Sequence, residues 1–143
     1  TWPQSHFSNR FDKELQKSDL NILYPVLSEA NSSRSNLHYG DVVQATSQPC
    51  AKSRRGFTSK GGSELFFEVP EEHKGNAARA IFYFAIRYKM PIPAEEQASL
   101  RAWNKADPVD DFERSRNEIT MESQDNRNPF IDHPELVELI SDF

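Results

Sequence analysis

Apolar positions fall into two regimes along the chain, short interrupted runs before residue 70 and long helical stripes after it. The first run, "SDLNILYPVL" (18–27), places Leu20, Ile22, Tyr24 and Val26 on one side and Leu23 and Leu27 on the other. That pattern predicts a strand buried on both faces and ended near Pro25. The polar "SEANSSRSN" (28–36) predicts a short helix with Ser28 as its cap. Residues 44–63, "QATSQPCAKSRRGFTSKGGS", read as loop, because Pro49, Gly56 and the Gly61-Gly62 pair interrupt any period. In "ELFFEV", Leu65, Phe67 and Val69 alternate with Glu64, Phe66 and Glu68, which predicts a second strand.

Helical spacing dominates the remainder. "GNAARAIFYFAIRYKM" is apolar nearly all round, as a central buried helix must be. "PAEEQASLRAWNKAD" opens with Pro93 and carries Leu100 and Trp103 three apart. "DPVDDFERSRNEI" predicts a helix capped by Asp107 with Pro108 in its first position and acids in its first turn. Leu136, Leu139, Ile140 and Phe143 stand at i, i+3, i+4 and i+7, the stripe of a short terminal helix docked by one face. The expected class is α+β, helix-rich with little sheet, and 143 residues suit a single domain over 1–143.

Composition refines this picture in three ways. Ten Phe and two Trp supply core surface, while a mean hydropathy of −0.75 demands a large solvated exterior. No apolar run approaches the roughly 20 residues that cross a bilayer, so no membrane partner is expected; residues 1–10 also lack the pattern of a secretion signal. Cys50 is the sole cysteine, which leaves an inert thiol or a bridge to a segment outside this sequence. The net charge of −5 is unevenly spread: residues 42–63 contain no acid but hold Lys52, Arg54, Arg55 and Lys60, whereas acids prevail from Ala94 onward. A polyanion would meet the first region, so Lys52, Arg54 and Arg55 are candidate substrate-binding residues, against an ordinary solvated loop.

Candidate chemistry is sparse. His6, His38, His73 and His133 form no pair at helix or strand spacing, and each taken alone reads as structural or solvated. Arg79 and Arg87 lie on the apolar helix, where structural ion pairs are expected. Asn31 falls in the first or second turn of the helix after the predicted strand, with Arg34 at i+3 on the same face. Its amide oxygen suits a hard cation such as Mg²⁺ beside a carboxylate and waters; capping or plain surface exposure is the alternative.

Five segments in order carry a family resemblance over almost the whole chain: "WPQS", "SDLNILYP" with "EANSSRSN", "FEVPEEHKGNAARAIFYFAIRYKM", "AWNKADPVDDFERSRNEI" and "NRNPFIDHPEL". The chain resembles the bacterial endonuclease I family of secreted or periplasmic DNases, built on a ββα-metal (His-Me) finger. In that family the first motif is Glu-His-x-x-Pro, and Thr1-Trp2-Pro3-Gln4-Ser5 matches its second half. The resemblance therefore puts the general-base His immediately before Thr1 and a metal-binding Glu one residue earlier. It implies no catalytic residue within this chain, an N-terminal part that is lacking, and no base role for His6. The family's other metal ligand is an Asn six residues after a Pro, a spacing that Pro25 and Asn31 reproduce. One departure is Asn21, where family members often carry His.

What the resemblance implies is a Mg²⁺-dependent (or other divalent cation) endonuclease that hydrolyses DNA or RNA phosphodiesters without sequence preference and leaves 5′-phosphate ends. It further implies a secreted or periplasmic location and a monomer, with the missing N-terminal segment on the same or another chain. The alternative is an inactive nucleic-acid-binding fragment or pseudoenzyme.

Overall fold

The computed structural model describes residues 2–48 and 52–143, so the two readings of Cys50 lie outside the described residues. The architecture is α+β and helix-rich, with one small four-stranded sheet. Its centre is helix α3 (Lys74–Tyr88), following α1 (Lys13–Ser18) and α2 (Ser28–Arg34) in the chain. Ala77, Ala78 and Ala80 are fully buried beside Ile81, Phe82 and Phe84, so small side chains let neighbouring elements close on every side of it. Helix α4 (Ala94–Ala106) packs along α3 and adds Leu100 and Trp103 to the same core.

The start of α3 is a close contact. A Cβ at Gly75 would fall 2.1 Å from the carbonyl oxygen of Asp107, and the Gly75 N–H donates to the Asp107 carboxylate at 2.8 Å. Asp107 is thereby committed to ending α4 and holding α3, and does not cap the next helix as the sequence suggested. Helix α5 (Asp111–Gln124) starts instead at Asp110, whose carboxylate accepts from the Glu113 N–H at 2.7 Å. Arg79 makes the expected ion pair: its guanidinium, fully buried, binds both oxygens of Glu113, the Nε bond at 2.9 Å, and reaches Asn104 Oδ1 and the Asp107 carbonyl. Arg87 is exposed.

Helices α6 (Pro129–Asp132) and α7 (Leu136–Leu139) close the chain. The predicted terminal stripe holds only in part. Leu139 is 79% exposed and Val137 is the fully buried residue, because α7 stops at Leu139 and the helical period stops with it. Phe143 still docks, its ring 4.4 Å from that of Phe82, with its carbonyl accepting from the Ile92 N–H at 2.9 Å.

The β-structure departs most from expectation. Residues 18–27 form no strand. Leu20–Ile22 is a 3-10 turn, with the Asp19 carboxylate accepting from the Asn21 N–H at 3.0 Å, and residues 23–27 run on without strand pairing. Local capture of an amide by Asp competes with a ladder, and Pro25 has no N–H to offer one. Leu20, Leu23, Val26 and Leu27 are exposed as a result, and only Ile22 of the apolar run is buried in the core.

The true strands are β1 (His38–Tyr39), β2 (Gln44–Ser47), β3 (Arg54–Phe57) and β4 (Phe66–Glu68), in spatial order β1-β4-β3-β2. β1 and β4 are parallel, and the other two pairs are antiparallel. Two of the strands come from the stretch read as loop. Every residue of β2 is exposed, so no apolar alternation marks it. Gly56 is required by the pairing, since a Cβ there would meet the Gln44 carbonyl at 2.1 Å. β4 is buried on both faces, Glu68 included, because its carboxylate accepts from Arg54 at 2.6 Å, Lys74 at 2.9 Å and the Val42 N–H at 2.7 Å. Burial alone would raise the Glu68 pKa; these three donors outweigh it and hold the group ionised.

Candidate functional site

Helix α2, the extended residues 23–27, the turn Gln4–His6 and the end of β4 surround a cleft of about 790 Å³. Trp2–Ser5 contribute to its wall and so does Asn31, which brings the two segments singled out by the family motif to one cavity. Although the chain carries 22 acidic residues, none lines this cleft; Arg34 and His73 do. Among the described residues, then, no carboxylate on the wall itself opposes an anion.

Helix α2 forms where the sequence placed it, but Leu27 occupies the cap position and Ser28 lies one residue inside. Asn31 is exposed on it, and its side-chain amide makes no hydrogen bond among the described residues. Three residues on, Arg34 is buried at 8% exposure, its guanidinium 4.8 Å over the Tyr39 ring. Ser35 then ends the helix at φ 51°, ψ −120°, outside the left-handed well that a serine tolerates. Backbone of this kind costs about 1–3 kcal/mol and persists only when its surroundings enforce it.

Tyr24 and His73 meet edge to face with ring centroids 4.9 Å apart. The Tyr24 hydroxyl is buried without a partner, and burial pushes its pKa up to about 12. Arg116 lies 4.1 Å from the centre of the Tyr24 ring and donates to the carbonyls of Leu20 and Leu23. A segment without strand pairing is thus held in place by a side chain from α5. Burial lowers the His73 pKa below the ordinary imidazole value, which keeps that ring neutral at neutral pH. Asn21, at the position where His is frequent, is buried and donates to Asn126 Oδ1 at 2.9 Å, leaving its own Oδ1 unpartnered.

His6 does not line this cleft. It stacks on His38, ring centroids 5.8 Å apart, beside a smaller cavity of about 170 Å³. His38 Nδ1 lies 2.5 Å from Glu96 Oε2, and Glu96 Oε1 accepts from the Tyr39 N–H at 2.8 Å. The hydrogen bond to Glu96 raises the His38 pKa above its ordinary value, against a smaller opposing effect of burial. A raised folded value means that the pair's stabilisation is complete below the unfolded imidazole pKa of about 6.5 and is lost as pH rises through the folded one. Urea melts at about pH 5.5 and about pH 8.5 are expected to show this as a pH-dependent difference between the parent protein and His38→Gln, larger at the acidic end. Equal differences at both pH values would show that protonation of His38 contributes nothing to stability.

The basic candidates are brought together with acids more than with the cleft. Lys52 pairs with Glu72 at 3.0 Å and Arg54 with Glu68 at 2.6 Å, while Arg55 Nε is buried without a partner. None of the three lines the cleft; Ser53 between them does. Among the described residues no group of three His, Cys, Asp or Glu could hold a metal ion, so Asn31 offers one neutral oxygen and no complete ligand set. Sequence spacing placed Arg34 on the Asn31 face but gave no sign of its burial, and no sequence signal marked Tyr24 or His73 as cleft residues.

The chain belongs to the Endonuclease I family, whose sequence profile matches residues 1–135. It is 35% identical to an extracellular ribonuclease of Bacillus subtilis (strain 168) over 97% of this chain and 51% of that protein. It is also 29% identical to an Endonuclease-1 of Buchnera aphidicola subsp. Acyrthosiphon pisum (80% of this chain, 44% of that protein). A periplasmic deoxyribonuclease of Aeromonas hydrophila is 26% identical over 87% of this chain and 51% of its own length. The chain spans about half the length of the curated relatives it matches. No helix among the described residues is long and apolar enough to cross a membrane.

Proposed function

We propose that the protein is a metal-dependent endonuclease that hydrolyses DNA or RNA phosphodiesters without sequence preference, with Asn31 as a metal ligand in a His-Me finger. The observation that carries this reading is the acid-free cleft shared by Trp2–Ser5 and Asn31. Trp2 stacks on Phe84 of α3 at 4.9 Å, and its indole N–H donates to the His6 carbonyl at 3.3 Å. That anchorage holds Trp2 at the cleft wall, and in this reading a Glu-His pair ahead of Thr1 would join the Asn31 oxygen around one divalent ion. A bound Mg²⁺ supplies charge stabilisation for the phosphate and the departing oxygen. In this reading the residues of this chain offer one oxygen donor at Asn31, place no carboxylate of the described residues on the cleft wall and anchor Trp2 against α3.

DNA and RNA both remain substrates in this reading, since relatives are named for each. The same names support an extracellular or periplasmic location, and the protein is read as one domain acting as a monomer. Lys52, Arg54 and Arg55 flank Ser53 near the cleft and are assigned weak, sequence-independent phosphate contacts.

The test is cleavage of supercoiled plasmid and of a structured RNA by a protein extended upstream to include Glu-His, with Mg²⁺ and then with EDTA. Metal-dependent nicking whose products ligate without a kinase step is expected, along with a folded but inactive 1–143 chain. An extended protein that cleaves neither substrate, or cleaves both in EDTA, would sink the reading. Activity of the 1–143 chain lost in His6→Ala would return the base role to His6.

A further inference from the structure

Arg34 is a buried guanidinium with no direct ion pair among the described residues, the Glu96 carboxylate lying across the smaller cavity. It is more than nine-tenths buried, no Asp or Glu lies within ion-pair distance of it among the described residues, and its Nε–H is shielded from solvent without an acceptor. Among the described residues its contacts are the Tyr39 ring at 4.8 Å and a long bond from one terminal nitrogen to the Ser35 carbonyl at 3.4 Å. The C-terminal end of α2 offsets a fraction of the charge. Two other buried cations are matched: Arg79 binds Glu113 through two nitrogens, and Lys74 contacts three carboxylates; the half-buried Arg55 also keeps an unpartnered Nε. A buried guanidinium with an open donor is costly unless an anion completes it. Arg34 also forms part of the wall of both cavities, and among the described residues two of the buried polar atoms without partners, Arg34 Nε and the Tyr24 hydroxyl, belong to residues lining the large cleft.

We propose that Arg34 is a built anion site that takes one phosphate group of the nucleic-acid strand, held by its guanidinium one helical turn from Asn31. The choice of a nucleic-acid phosphate rests on the nuclease reading above; the anion site itself does not. A guanidinium donates two parallel N–H bonds to a phosphate, which fixes the orientation of the strand as well as attracting it. The Tyr39 ring and the Ser35 carbonyl position the guanidinium before the strand arrives, so little order has to be imposed on binding.

The experiment titrates the ¹⁵N-labelled 1–143 chain with inorganic phosphate and follows the Arg34 Nε–Hε resonance, a readout independent of catalysis. A saturable downfield shift of that resonance is expected, with phosphate affinity about 10-fold weaker or worse in Arg34→Met and intermediate in Arg34→Lys. An Arg34 resonance that phosphate does not move in the parent chain would overturn the proposal even if the variants fail to fold. In the extended, Glu-His-containing protein, Arg34→Lys is expected to lower kcat/KM for plasmid at least about 10-fold; unchanged kcat and KM would equally overturn it. Phosphate binding in a protein that never cleaves would instead remove the nuclease reading and leave the anion site standing.

Discussion

Replacing Asn31 by alanine is expected to lower Mg²⁺-dependent cleavage by the Glu-His-extended protein by about 10²–10³-fold while leaving its melting temperature unchanged. The activity estimate follows from losing, in the proposed site, one group that acts directly at the reacting centre. The stability estimate follows from its surroundings: Asn31 is exposed, its side chain bonds to nothing described, and α2 is closed by backbone bonds to Leu27 and Ser35 that alanine preserves. Surface changes of this kind stay within about 0.5 kcal/mol. The loss should be partly recovered in Asn31→Asp, which keeps an oxygen at the same place and strengthens its hold on a cation. A titration of activity against Mg²⁺ checks both. An Asn31→Ala enzyme with parental activity at all Mg²⁺ concentrations would remove this residue from the site.

The largest effect on stability is expected at Glu113. Its carboxylate and the Arg79 guanidinium are both essentially inaccessible to solvent and are joined at two points. Glu113→Ala removes one partner and leaves a cation in the centre of the fold, with only Asn104 and the Asp107 carbonyl to satisfy it. Breaking a buried pair in this way costs about 3–5 kcal/mol, which for a chain of this size corresponds to a fall of about 8–15 °C in Tm. The pair itself is a poor source of net stability, because both ions were stripped of water to form it. Arg79→Met combined with Glu113→Leu is therefore expected to recover most of the loss. Calorimetry of the two variants decides it: equal Tm values for parent and Glu113→Ala would show that the buried carboxylate is not needed to balance Arg79.

The helical half was legible because its physics is local. Ile81, Phe82 and Phe84 amid alanines could only be a helix surrounded by other elements, and Pro93 marked the start of α4 to within a residue. Of the sheet only β4 was legible, lying inside the strand predicted over 64–69, and the rest was missed for reasons that can be named. β1 has two residues and β2 exposes all of its side chains, so neither carries a period-two signal. β4 hides a glutamate whose burial is stabilised by Arg54 and Lys74, one from another strand and the other from the start of α3. The apolar run 18–27 misled in the opposite sense, because Asp19 bends it locally and also accepts hydrogen bonds from the hydroxyls of Tyr83 and Tyr88, both at 2.8 Å. At the candidate site, Asn31 was singled out by its spacing from Pro25 within a family resemblance. The isolation of Arg34 depends on which acids are absent around it in space, and no linear pattern records that.

The sheet's two open margins have a colloidal consequence. One margin is β1, too short to template another chain; the other is β2, whose pairing with β3 slips between Ala45 and Ser47 and whose side chains all face water. A second copy would find no long, flat row of free amides to extend, so concentrated solutions of this protein should resist edge-to-edge fibril growth despite its strands.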